Sequence, residues 1–132
     1  MGTFHVSCKI ENVVHRRRST TVSKVLVDTG SECTWIAEAT LEKIGIAREK
    51  KDAPFVLANG QQVTRSVGFA VIRIGERFTV DEVVFAEKGD LSLLGARTLE
   101  GLNLVVDSRR KRLVAAGPAP AATGRQRPES TA

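Results

Sequence analysis

The chain has 132 residues, 42% of them hydrophobic and 27% charged, which fits one compact globular domain and leaves no room for two. No apolar run nears the roughly 20 residues a membrane helix needs, so no membrane partner is expected. The formal charge of +5 lies in the C-terminal stretch: residues 1–108 carry 14 basic and 14 acidic residues, and residues 109–132 carry six basic residues against Glu129 alone. A solvated turn and tail account for that cluster, so nucleic acid is not an expected partner.

In chain order, "TFHVSCKI" alternates with Phe4, Val6, Cys8 and Ile10 on one face, the pattern of a half-buried strand. The opening residues lack the basic-then-apolar pattern of a secretory signal. Cys8 and Cys33 form no CxxC or metal-type spacing, so two free thiols and a cytoplasmic location are expected. His5 and His15 have no third ligand nearby, and neither a metal nor a cofactor is expected. "HRRRST" reads as an exposed turn and "TVSKVLV" as a second strand. After the turn at Asp28, "TWIAEATLEKIG" carries one early helix, with Ala37 to Lys43 rich in helix formers and Gly45 past its end.

Strand signals return at Pro54. "PFVLANGQQV" places two apolar segments around Asn59-Gly60, a strong hairpin signal. "SVGFAVIRIG" and "RFTVDEVVFA" are longer strands separated by a Gly75-Glu76 turn, and "LSLLG" is a short apolar strand ending in glycine. "ARTLEGL" has room for about two helical turns, and "NLVVD" and "RLVAA" are strands flanking "SRRK". The segment 117–132, basic and rich in Pro and Ala, has nothing to bury and is expected to be disordered. Short strands with two short helices predict an all-β, closed barrel-like domain over residues 1–116.

One stretch carries chemistry. In "VLVDTGS" an apolar strand runs into Asp28 and then into Thr29-Gly30-Ser31. Asp-Thr-Gly alone is usually a turn, with Asp accepting a local backbone bond and Gly taking a positive φ. About 60 residues later "LSLLGARTLEGLNLVVD" repeats the order apolar pair, glycine, helix.

With these pieces in order, the sequence resembles the retroviral-type (retropepsin-like) aspartic proteases over roughly Thr3 to Ala116. The likeness is greatest to the retroviral-like domain of the DNA-damage-inducible proteins and to small bacterial relatives. It implies a closed, mostly β acid-protease fold with a flap hairpin and one or two short helices. It implies an aspartic endopeptidase that acts on a peptide or protein substrate, with no cofactor. Two identical chains would build one site.

The chemistry agrees with that implication. One carboxylate cannot both deprotonate a water and protonate a leaving amine, whereas two sharing a proton can. A chain with a single Asp-Thr-Gly therefore needs a homodimer, with Asp28 from each copy. Two full charges about 3 Å apart repel by roughly 5 kcal/mol at an effective dielectric of 20, which favours one shared proton.

Within this reading Gly30 permits the tight turn and its amide can donate to the carboxylates. By resemblance, Thr29 bonds across the dimer axis and Ser31 can donate to the outer oxygen of Asp28. Leu93, Leu94 and Gly95 form the second glycine turn beneath the first, and Arg97 is a candidate dimer brace. Ala58, Asn59, Gly60 and Gln61 form the tip of the flap that would cover an extended substrate. Viral flaps are richer in glycine at this tip. Trp35 is expected to pack near the site, Asp90 and Asp107 to cap turns, and Cys33 to be a buried small apolar side chain. The alternative function is a catalytically weak or inactive retropepsin-like dimeric binding or assembly module, since a fold does not guarantee an activity.

Overall fold

The computed structural model describes residues 3–118, 120 and 121. Most of the tail expected to be disordered lies outside the described residues. Among the described residues nine strands and two six-residue helices follow one another: β1 (His5–Glu11), β2 (Ser19–Val27), β3 (Thr34–Ala37), α1 (Glu38–Lys43), β4 (Lys50–Val56), β5 (Gln62–Ile74), β6 (Arg77–Ala86), β7 (Leu93–Leu94), α2 (Ala96–Gly101), β8 (Leu104–Asp107) and β9 (Arg112–Ala115).

Seven strands form one sheet in the order β1-β2-β7-β3-β6-β5-β4, and β8 and β9 pair separately. The sheet returns on itself because the end of β1 also pairs with β5, Lys9 opposite Arg73 and Glu11 opposite Val71. Two pairings are parallel, β2 with β7 and β3 with β6. These bring chain segments distant in sequence side by side, and they build the site.

The alternation expected in β1 is realised, with Cys8 and Ile10 fully buried and Phe4 and Val6 packed against the same core. That core is completed by Val25 and Val27 of β2, Ile36, Ile72, Phe85 and Leu94, with Leu41 of α1 and Leu99 of α2 closing it. Burial pushes the Cys8 thiol up to about 12, so it behaves as a small apolar side chain. α1 has no side-chain cap at its start. Its far end is held by Asn12, whose Nδ2 donates to the Ile44 carbonyl at 3.0 Å and whose Oδ1 accepts from the Val14 and His15 amides.

Two boundaries differ from the sequence reading. Residues Thr34–Ala37 are a strand, and the helix begins only at Glu38. Thr34, Trp35 and Ile36 are all buried because β3 lies between β6 and β7 with packing on both faces, so no alternation marks it. β4 begins at Lys50, not near Pro54. Its polar start pairs with Val67 across a bulge, where Asp52 takes φ +56°, and apolar patterning is absent from that exposed edge.

Where the sheet closes, Glu11 is 3% exposed. It accepts from Arg16 Nε at 2.6 Å and from Arg73 Nε at 2.9 Å, and both guanidinium groups lie over the Phe78 ring. The Arg73 hydrogen bond, helped by Arg16 against the cost of burial, holds the Glu11 carboxyl below its usual range. Its contribution is therefore complete above the unfolded glutamate value of about 4.3 and is lost as pH falls through the lower folded value. Glu11→Gln is expected to cost about 2 kcal/mol at neutral pH and to flatten the acid limb of stability below about pH 4. Urea unfolding of both proteins between pH 3 and 7 measures this, and parallel curves would contradict it.

Candidate active site

β2 delivers Asp28 to the surface between two neighbours. Val27 donates its amide to the Phe4 carbonyl at 3.0 Å, Leu26 donates to Ser92 at 3.1 Å, and the Asp28 amide donates to Leu94 at 3.0 Å. The carboxylate emerges where the strand can no longer pair. The Gly30 amide donates to Asp28 Oδ1 at 2.9 Å, and the Ser31 amide donates to the Asp28 carbonyl at 3.2 Å. A Cβ on residue 30 would stand 3.2 Å from Asp28 Oδ1, so glycine leaves the oxygen room over the amide. Ser31 differs from expectation: its hydroxyl donates to the Cys33 carbonyl at 2.9 Å and braces the loop, not the carboxylate. Thr29 is exposed in the single chain.

The second glycine turn packs directly beneath. A Cβ on Gly95 would lie 2.4 Å from the Cys33 carbonyl oxygen and 2.8 Å from that of Glu32. That approach lets the first turn be tied to the start of α2. Ala96 donates its amide to Ser31 at 2.8 Å and Arg97 to Glu32 at 3.1 Å. Helix-start amides that would otherwise lack partners are thus satisfied by the loop that carries Asp28.

A buried hydrogen-bond chain locks this arrangement, and sequence reasoning did not find it. The Gly95 amide donates to Thr34 Oγ1 at 3.0 Å, the Thr34 and Thr98 hydroxyls are 2.6 Å apart, and Thr98 donates to Asp81 Oδ2 at 2.9 Å. Each hydroxyl has one proton. Because Thr98 gives its own to Asp81, Thr34 must donate to Thr98 while accepting from Gly95. The chain has one self-consistent direction. Thr34 and Thr98 are both 0% exposed, a burial that only the folded chain reveals, and no sequence signal pairs them.

Above Asp28 opens a cleft of about 880 Å³. Its apolar floor is Trp35 packed edge-on against Phe55, ring centroids 5.2 Å apart at 66°. Leu57, Val67 and Leu93 add to the same cluster. The expected hairpin overhangs it. Gly60, at φ +86°, donates its amide to Leu57, Leu57 donates to Gln61, and Asn59 Oδ1 accepts from the Gln61 amide. Ala58 and Asn59 line the cleft, and Gly60 and Gln61 complete the turn. Arg97 also lines it, its Nη1 3.3 Å from Glu82 Oε1, and Lys50 holds the other oxygen of that carboxylate. The Lys50 hydrogen bond, with Arg97 nearby, keeps the Glu82 carboxyl below its usual range. Cys33, expected to be buried, is half-buried because it lines the open cleft, its thiol raised by desolvation against the pull of Arg97. Asp90 and Asp107 accept the Glu87 and Arg110 amides, the turn-capping roles expected.

A closed sheet of short strands, a single Asp-Thr-Gly loop and a second glycine turn beneath it define a retropepsin-like aspartic protease fold. The fold is similar to the crystal structure of the retroviral protease-like domain of Ddi1 from Leishmania major, with a TM-score of 0.57 and 14% sequence identity, covering 87% of this chain and 89% of that one. The model of the family described as "gag-polyprotein putative aspartyl protease" matches residues 19–101, which include the Asp28 turn, the hairpin and the Gly95 turn. The chain belongs to that family. No curated protein sequence matches it significantly.

Thr34→Val removes an acceptor from the Gly95 amide and a donor from Thr98, and is expected to cost about 1–3 kcal/mol. Gly95→Ala forces the two turns apart and is expected to cost at least as much. Denaturant unfolding checks both, and a neutral Gly95→Ala would refute the close approach.

Proposed function

We propose that two copies of this chain associate around their Asp28 loops to form an aspartic endopeptidase. The observation that carries this reading is the presentation of Asp28. Its carboxylate is fixed on one oxygen by the Gly30 amide and stands at the edge of a cleft large enough for a peptide. The chain holds one Asp-Thr-Gly, so the second carboxylate must come from another copy.

In that dimer the two carboxyl groups share a proton and hold a water between them. The ionised carboxylate takes a proton from the water as its oxygen bonds to the peptide carbonyl carbon. The protonated carboxyl gives its proton to the carbonyl oxygen, producing a tetrahedral diol. Collapse of the diol breaks the C–N bond as the departing nitrogen is protonated, and no covalent enzyme intermediate forms. Thr29 reaches across the two-fold axis, Arg97 braces the interface, and the Ala58–Gln61 hairpin serves as a flap. An extended substrate lies beneath it and presents apolar side chains to Trp35 and Phe55.

A second reading, a dimeric binding module with little or no turnover, is favoured by the hairpin tip, where Gly60 is the only glycine among Ala58-Asn59-Gly60-Gln61.

Asp28→Asn is expected to remain a folded dimer and to lose at least about 100-fold in peptide cleavage. A peptide-library digest of both proteins from acidic to neutral pH measures this. Equal cleavage by the two would remove the mechanism, and a library left uncut by the wild type would select the binding module. Specific activity is also expected to fall on dilution through the dimer dissociation constant. Activity strictly proportional to enzyme well below that constant, located by analytical ultracentrifugation, would exclude a shared site.

A further inference from the structure

One ion pair near the cleft has a geometry that stability alone does not explain. Val63, Arg65 and Val67 fall on one face of β5, and both valines belong to the apolar cluster around Trp35. Arg65 therefore projects toward the cleft floor, and its guanidinium carbon lies 6.0 Å from the Trp35 ring centroid. From there it grips Asp90 with both prongs, Nε to Oδ2 at 2.8 Å and Nη2 to Oδ1 at 3.0 Å. Its Nη1 donates to the Thr64 carbonyl at 2.8 Å and lies 3.7 Å from Glu87 Oε1. The two side chains are only 13% and 10% exposed.

Asp90 has a second task. Its Oδ2 accepts the Glu87 amide at 2.8 Å, and its own amide donates to the Glu87 carbonyl at 2.9 Å. The carboxylate thus closes the turn that ends β6 while clamping the hairpin. Two residues on, the Ser92 carbonyl accepts the Leu26 amide just before Asp28. Leu91, 65% exposed, lines the cleft from this loop and Leu93 from β7 just beyond it, and Phe55 and Leu57 line it from the hairpin. One fork therefore joins both walls of the apolar pocket and rests on its floor.

Buried ion pairs stabilise little compared with apolar side chains of the same volume. What a two-pronged Arg–carboxylate contact supplies is a fixed distance and plane. We propose that Arg65 and Asp90 are positioning residues. They hold the hairpin root and the Glu87–Ser92 loop at a set separation, and so fix the size of the apolar side chain the cleft accepts. The substrate part of this inference rests on the peptidase reading, and the tether itself does not.

Trp35 is the only tryptophan in the chain and lies under the fork, so its fluorescence reports on the tether without any catalysis. The experiment compares Arg65→Met, Asp90→Asn, the double variant, and Arg65→Lys as the conservative change. The double variant leaves no unpaired buried charge and keeps the test open if a single variant does not fold. Acrylamide quenching of Trp35 is expected to rise about twofold in the folded variants while far-UV circular dichroism stays unchanged, with Arg65→Lys between wild type and Arg65→Met. With peptides differing only in Leu or Ala next to the cleaved bond, KM for the Leu peptide is expected to rise about tenfold at nearly constant kcat, and Leu-over-Ala discrimination to shrink by a similar factor.

Unchanged Trp35 quenching with unchanged discrimination would overturn the proposal. So would a loss confined to kcat, because that would place the pair's influence on the carboxylates and not on the pocket. If the wild type cleaves neither peptide, the peptidase reading fails by itself. Binding of the same two peptides, followed by Trp35 emission, then decides whether the fork sets the pocket.

Discussion

The structure depends on two backbone turns approaching more closely than any side chain would permit. Gly95 lies against the Cys33 and Glu32 carbonyls. Everything at the site follows from that contact. The α2 amides reach the Asp28 loop, the parallel β2–β7 pairing is drawn to the strand end, and Thr34 fits beneath with its hydroxyl already committed at both ends. A loop carrying a carboxylate is ordinarily among the softer parts of a protein. Here the loop is bonded on its underside to a helix and a strand, and those bonds restrain it.

The charged groups are arranged around this centre with a common logic. Glu11, Glu82 and Asp90 each sit at a place where segments distant in sequence must be held in register, and each is met by more than one hydrogen bond. Glu11 joins the two ends of the sheet. Glu82 links β4 and α2 beside the cleft. Asp90 joins the hairpin to the loop before the second glycine turn. Apolar burial specifies which face of a strand turns inward, and these carboxylates fix how far each segment slides along its neighbour.

How much of this could be read from the sequence divides by the range of the cause. The hairpin at Asn59-Gly60, the helix end at Gly45, the alternation of β1 and the local turn after Asp28 were legible, because each is set by residues within a turn or two of one another. β3 was hidden because Thr34, Trp35 and Ile36 are buried on both faces, and a four-residue strand without alternation looks like the start of the helix that follows it. The beginning of β4 was hidden for the opposite reason, since it is exposed and polar. The Thr34–Thr98 and Gly95–Thr34 bonds span 64 and 61 positions, and the Arg65–Asp90 fork spans 25. No local pattern encodes such partners. Ser31 shows the limit from another side: its hydroxyl donates to the Cys33 carbonyl two residues on, and the residue type alone does not say which acceptor a turn will offer it.

The closure of the sheet through β1 and β5 also determines where a stray strand could attach. Among the described residues β4 pairs only with β5, and no strand lies along its outer edge. That edge carries Lys50 and Lys51, a bulge with Asp52 in a left-handed conformation, and Pro54, which has no amide to offer. These are the devices by which natural sheets discourage edge-to-edge growth. The polar start of β4, which hid the strand from sequence reading, is thus also what makes this exposed β-edge a poor template for another strand.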